Sequence, residues 1–141
     1  MNLTQLIKDA GGQDSLARVG ISAGLSDVEL SAILHSASPL LIRKLHERMQ
    51  DANGRNWVRR QRDSGGPQQF IDRPMLMDSS AVGIEGNRLL DSLVGGHSVA
   101  EQIGLYLAHQ TELNVKKVQQ VLPAVAVLFV GAVCKGISRG A

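Results

Sequence analysis

The chain has 141 residues, of which 43% are hydrophobic, 3% aromatic and 20% charged, and its formal net charge is +2. This length accommodates one domain over residues 1–141, with a core large enough to need no disulfide or metal staple. The single cysteine, Cys134, excludes an intramolecular disulfide and fits a reducing, cytoplasmic setting, and the near balance of charge gives no bulk attraction to nucleic acid.

The first segment, Met-Asn-Leu-Thr-Gln-Leu-Ile-Lys, lacks a basic region followed by an apolar run, so no signal peptide is expected. Residues 2–10 can form a short helix stopped by Gly11-Gly12. Residues 14–23 form a second, with Leu16, Ala17, Val19 and Ile21 apolar and Gly24 as its stop. Ser26 with Glu29 three residues on reads as a capping box, followed by the apolar stripe Val28, Leu30, Ile33 and Leu34. Ser38-Pro39 predicts a fresh helix start, with serine as cap and proline at the first helical position. Leu41, Ile42, Leu45 and Met49 line the buried side of that helix, Arg43, Lys44, Glu47 and Arg48 fall largely opposite, and Asn53-Gly54 ends it.

Residues 52–83 lose this periodicity. They read as a long basic and Gly/Pro-containing connection, with one short helix around Trp57 and another after Asp78. Phe70, Ile71, Met75, Leu76 and Met77 are too apolar for a free linker and are expected to dock onto the core. A helix over 84–94 follows, closed by Gly95-Gly96. Ser98 with Glu101 predicts a second capping box opening a helix through His109, with Ile103, Leu107 and Ala108 inward. Asn114 caps the last element, where Pro123 predicts a kink or restart. From Ala124 to Ile137 the chain is apolar nearly all round, so that helix must be surrounded by others. The most apolar run, Val121 to Cys134, is 14 residues, shorter than the roughly 20 needed to cross a bilayer, so no membrane span is expected.

Two segments echo each other. Leu25, Leu30, Ile33 and Leu34 have the same offsets as Leu113, Val118, Val121 and Leu122, each set preceding a proline. Duplication of a helical unit and the shared pattern of any two amphipathic helices both account for this.

The segment from Gly24-Leu25-Ser26 to Ser38-Pro39-Leu40-Leu41 resembles the N-terminal half of the YidB-like bacterial proteins, a domain family of unknown function. Ser64-Gly65-Gly66 with Phe70-Ile71-Asp72 and Pro74 is similar to its middle, and Gly86-Asn87-Arg88-Leu89-Leu90 with Gly95-Gly96 to its most recognisable motif. Gln110 through Leu113, Val118 and Leu122-Pro123 resembles its C-terminal signature. The order and spacing of these motifs over residues 13–137 carry the resemblance. Two departures are Glu112, where glycine is common, and Ser38, where leucine usually precedes the proline. The resemblance implies an all-helical bacterial protein and brings no activity, cofactor or catalytic residue. Gly86, Asn87, Gly95 and Gly96 are read as a structural motif, with glycine for tight turns or close helix approach and asparagine for capping.

No chemistry-bearing constellation stands out. His35, His46, His97 and His109 form no i, i+3 or i, i+4 pair with one another; His35 and His46 lie on different predicted helices and neither has a neighbouring cysteine or carboxylate in ligand spacing, so no metal is expected. Cys134 ends the most apolar helix and reads as packing. Asp72 and Asp78 flank an apolar patch without a visible partner. Gly11-Gly12, Gly65-Gly66 and Gly95-Gly96 lack the lysine and hydroxyl residue of a phosphate loop. The segment Arg55-Asn56-Trp57-Val58-Arg59-Arg60-Gln61-Arg62 is the strongest candidate. If it is helical, Arg55, Arg59 and Arg62 share a face. It reads as a solvated face, as a protein interface anchored by tryptophan and arginine, or as a phosphate clamp with Trp57 stacking on a base.

The expected fold is all-α: six to eight helices in one domain, with a buried C-terminal apolar helix. The expected function is a non-catalytic protein-interaction or self-assembly module, whose partner is another protein or a second copy. The expected surface is Arg55, Trp57, Arg59, Arg60, Arg62 and Phe70. Weak nucleic-acid binding through Arg55–Arg62 is the alternative. No cofactor is implied.

Overall fold

The computed structural model describes residues 2–140, and the side chains of residues 2–137. Eight α-helices and one 3-10 segment account for most of them, with no strand among the described residues. The helices are α1 (Leu3–Asp9), α2 (Gln13–Ala23), α3 (Asp27–Arg48), α4 (Ala52–Ser64), α5 (Gln69–Asp72), α6 (Ser80–Val94), α7 (His97–Thr111) and α8 (Val115–Gly140). The 3-10 segment Pro74–Asp78 lies between α5 and α6.

Local capping chemistry sets most boundaries. The Asn2 side chain accepts the backbone N–H of Gln5, and that of Asp51 accepts Gly54 N–H. Ser26 and Glu29 complete the expected capping box. The Ser26 backbone and hydroxyl hydrogen bonds hold the Glu29 carboxyl below the ordinary carboxylate range. That contribution is present above the unfolded pKa and is lost as pH falls through the lower folded value. Asn114 accepts N–H bonds from both Lys116 and Lys117. The predicted Ser98–Glu101 box does not form: Gly96 is the N-cap of α7, no side chain caps it, and Ser98 already lies in the first turn.

The corners share one design. Gly11, Gly24, Gly95 and Glu112 have φ of 90°, 69°, 99° and 57°. After each, the next residue's N–H returns to the carbonyl five positions back: Gly12 to Ile7, Leu25 to Gly20, Gly96 to Asp91 and Leu113 to Ala108. This left-handed cap satisfies carbonyls that the helix end would otherwise orphan. The echo between Leu25 and Leu113 therefore coincides with one joint, which the chain also builds at Gly11 and Gly95.

Neither proline starts a helix. Pro39 lies inside the continuous α3 and Pro123 inside the continuous α8. A proline in a helix interior costs ~3 kcal/mol, and the expected restarts assumed that this decides the matter. In α8 the penalty is met by burial, since fully burying each aliphatic side chain stabilises by roughly 1.5–3 kcal/mol and Val125 through Val130 are at most 2% exposed. Ser38 does not cap a helix beginning at Pro39. Its buried hydroxyl instead accepts the N–H of Leu3 at 2.8 Å, joining the first turn of α1 to the middle of α3. Asn53-Gly54 does not end α3; both lie in the first turn of α4. There the chain doubles back so closely that a Cβ on Gly54 would fall 1.6 Å from the Arg48 carbonyl oxygen.

Residues 52–83 are mostly helical rather than a connection. α4 alone runs 13 residues, and α6 begins at Ser80, four residues before its expected start. Phe70, Ile71 and Met77 enter the core as expected, Leu76 packs against it, and Met75 points to solvent.

α8 is the axis of the molecule. α1, α2, α4, α5, α6 and α7 all pack on it, and α3 closes the assembly through α1, α6 and α7. The closest approach is that of α6, where a Cβ on Gly86 would lie 2.4 Å from the Pro123 carbonyl oxygen. The expectation from run length needs correction. Val115–Ile137 forms 23 residues of continuous helix, long and apolar enough to cross a bilayer by length and composition. The other helices bury 67% of its most apolar 18 residues.

Two substitutions test this packing. Gly86→Ala should destabilise by about 2 kcal/mol, because overpacking outweighs the helix-propensity gain; urea unfolding as stable as wild type would show that α6 and α8 do not touch there. Glu112→Gly should stabilise by roughly 0.5–1 kcal/mol, since relief of the left-handed backbone exceeds the added chain entropy; a loss of stability by calorimetry would contradict the φ of 57°.

Candidate interaction surfaces

α4 turns Gly54, Trp57, Val58 and Gln61 inward. Trp57 is 4% exposed and Phe70 is 2% exposed, so neither belongs to the surface expected around the arginines. Both are core residues. The ring of Trp57 is covered by Arg48, whose guanidinium carbon lies 4.6 Å from the ring centroid, a cation–π contact across the α3–α4 corner. The periodicity that buries Trp57 was present in the sequence but was hidden by the arginines filling the positions between.

The outer side of α4 carries Arg55, Asn56, Arg59 and Arg60, all exposed. Arg55 donates to the Met49 carbonyl at 3.0 Å and Arg59 to the Asn56 side-chain oxygen at 3.3 Å. Neither meets a carboxylate, and Arg60 has no ion pair among the described residues. Arg62 differs from these three: it is half-buried at the edge of the face and pairs with Asp63 at 3.2 Å. Elsewhere cations do find acids, in the pairs Arg18–Asp78, Arg88–Glu85 and Lys135–Asp72. Asp72 and Asp78 thus latch neighbouring elements together and form no joint site.

A second surface escaped the sequence reading. His97, at the start of α7, stands between Asp91 of α6 and Glu101 of α7, with Nδ1 3.3 Å from one carboxylate and Nε2 3.0 Å from the other. The i, i+4 relation of His97 and Glu101 was legible; the approach of Asp91 depends on the Gly95-Gly96 corner. His97 and Glu101 border a cleft of about 140 Å³ lined also by Leu90, Leu122 and Pro123. Asn87 borders the same cleft and donates its amide to the Gly83 carbonyl. Gly95 and Gly96 form the corner between α6 and α7. A third feature is a shallow cleft between α2 and the 3-10 segment, flanked by Ile21 and Met75, which are 77% and 70% exposed.

No group of three or more His, Cys, Asp or Glu arranged to hold a metal ion is present among the described residues. These features define an all-α protein whose distinctive groups lie on separate outer faces. The chain belongs to a family described as bacterial proteins of unknown function, DUF937, whose model matches residues 5–136 and of which YidB is a member. Neither a curated protein nor a solved structure matches it.

Cys134 is fully buried, its thiol 3.9 Å from the Val58 carbonyl oxygen. Burial pushes this thiol up to about 11, with Arg62 opposing weakly. At about pH 8 its reaction with a disulfide reagent should be at least ~100-fold slower in the native protein than in strong guanidinium chloride, because the thiolate is the reacting form. Equal rates in the two states would show the thiol to be accessible.

Proposed function

We propose that the chain is a non-catalytic, cytoplasmic protein-interaction or self-assembly module that recognises an acidic surface through Arg55, Arg59 and Arg60 of α4. The observation that carries this reading is the exposure of three arginines on the outer side of one helix without a carboxylate partner among the described residues. Residues 43–62 hold seven of the fifteen basic residues and two of the thirteen acidic ones, so the rest of the chain is net acidic. Arginine suits such a role because its planar fork pairs bidentately with carboxylates and keeps its charge at every physiological pH. The most nucleophilic side-chain type in the chain, the thiol of Cys134, is sealed in the core and held protonated, which disfavours covalent catalysis.

Weak nucleic-acid binding through the same arginines is the alternative. Burial of Trp57 removes the base-stacking contribution, which leaves phosphate contacts alone.

Binding by the wild type and by Arg55→Ala/Arg59→Ala/Arg60→Ala separates the readings. The expected result is salt-sensitive binding of an immobilised acidic helical peptide, lost at least ~10-fold in the variant, whose helical circular dichroism is unchanged. Undiminished binding by the variant would overturn the proposal. Tight retention of duplex DNA with no peptide binding, falling steeply with salt, would replace it with the nucleic-acid reading.

A further inference from the structure

An asparagine loses its side-chain amide most readily when glycine follows it, because glycine has no side chain to shield its backbone nitrogen from the residue before. Of the five asparagines in the chain, only Asn53 precedes a glycine. The α3–α4 corner imposes this pair, since any Cβ at position 54 would strike the Arg48 carbonyl. Asn53 is exposed and borders an open depression of about 410 Å³, so water reaches it, whereas Gly54 is buried. The same turn also guards the pair. The Gly54 N–H donates to the Asp51 side chain at 2.8 Å, the N-cap bond of α4. That nitrogen is the one that would attack Asn53, and a carboxylate accepting its proton opposes the proton loss that attack requires. Helical backbone geometry at Asn53 further holds the nitrogen off the line of attack.

We propose that Asn53 is a site of spontaneous deamidation gated by opening of the first turn of α4, and that the Asp51 cap sets its rate. In the open turn the Gly54 nitrogen gives up its proton and bonds to the Asn53 side-chain carbonyl carbon. Ammonia leaves with the amide nitrogen and a proton, and a cyclic imide remains. Water then adds at either imide carbonyl and restores an aspartyl or an isoaspartyl linkage. Either product carries a new negative charge in the turn that holds Arg55. The isoaspartyl form also lengthens the main chain where α4 has no room against Arg48. The inference is independent of what the α4 arginines bind.

Peptide mapping by mass spectrometry after incubation at mildly alkaline pH tests this. The wild type should convert Asn53 ahead of every other asparagine, at least ~10-fold more slowly when native than in guanidinium chloride. Asp51→Ala removes the cap, and a cap worth ~1 kcal/mol corresponds to roughly fivefold faster native conversion, with the denatured rate unchanged. Asp51→Ser keeps a capping oxygen and should stay near the wild-type rate; each variant is checked for native helical circular dichroism. Equal native and denatured rates, or conversion led by another asparagine, overturn the proposal. A native Asp51→Ala rate no faster than wild type overturns the role of the cap. Should Asp51→Ala fail to fold, the wild type decides alone: the slowing on folding should match the hydrogen-exchange protection of the Gly54 N–H in the same buffer, and a mismatch beyond ~10-fold overturns the gating.

Discussion

The stretch of α8 from Val121 to Cys134 is apolar on nearly every side and is tolerable in water only when it is covered, and this requirement organises the rest of the molecule. α8 takes six neighbouring helices to cover it. Several are too short to be stable by themselves, since isolated helices below roughly 12–15 residues are marginal in water. α1 and α5 exist because Leu3, Ile7, Phe70 and Ile71 each drive a side chain into the space around that axis. The same burial lets the central helix carry Pro123 without breaking.

The sequence made helix ends more legible than helix continuity. Gly24, Gly95 and the Ser26–Glu29 pair mark real boundaries because their chemistry is local: a positive φ or two reciprocal hydrogen bonds need no tertiary partner. Pro39 and Pro123 misled because their cost is local while the compensation is global. Ser98–Glu101 misled in another way. A glycine corner brings α7 into helical geometry one residue before Ser98, so its hydroxyl has no capping position to occupy. α4 was obscured by composition, because four arginines dilute an inward stripe made of Gly54, Trp57, Val58 and Gln61. The departure at Glu112 proved informative: the residue standing where glycine is common is the one described non-glycine residue with a positive φ.

For the surfaces, sequence pattern located the arginines but assigned their neighbours wrongly. Spacing cannot tell whether a tryptophan on the same helix stands outside with the cations or inside beneath them; that depends on what the opposite face of α4 meets, and it meets α8. The Asp91–His97–Glu101 group depends still more on three dimensions, since a left-handed corner and two helices must first be arranged around Pro123. The family description brings no residue roles.

At Gly86 the backbone of α6 rests directly on that of α8, with no side chain between them. Side chains are what allow packed helices to slide, because their rotamers absorb small translations. Without that cushion the pair behaves as a keel, and relative movement must take place elsewhere. The candidate seam lies where the 3-10 segment is fastened to α2 by Arg18–Asp78 and Asp72 is fastened to α8 by Lys135, both through solvent-exposed carboxylates. Breathing of this protein should therefore be lopsided, with hydrogen exchange fast around residues 72–79 and slow along the contact of Gly86 with Pro123.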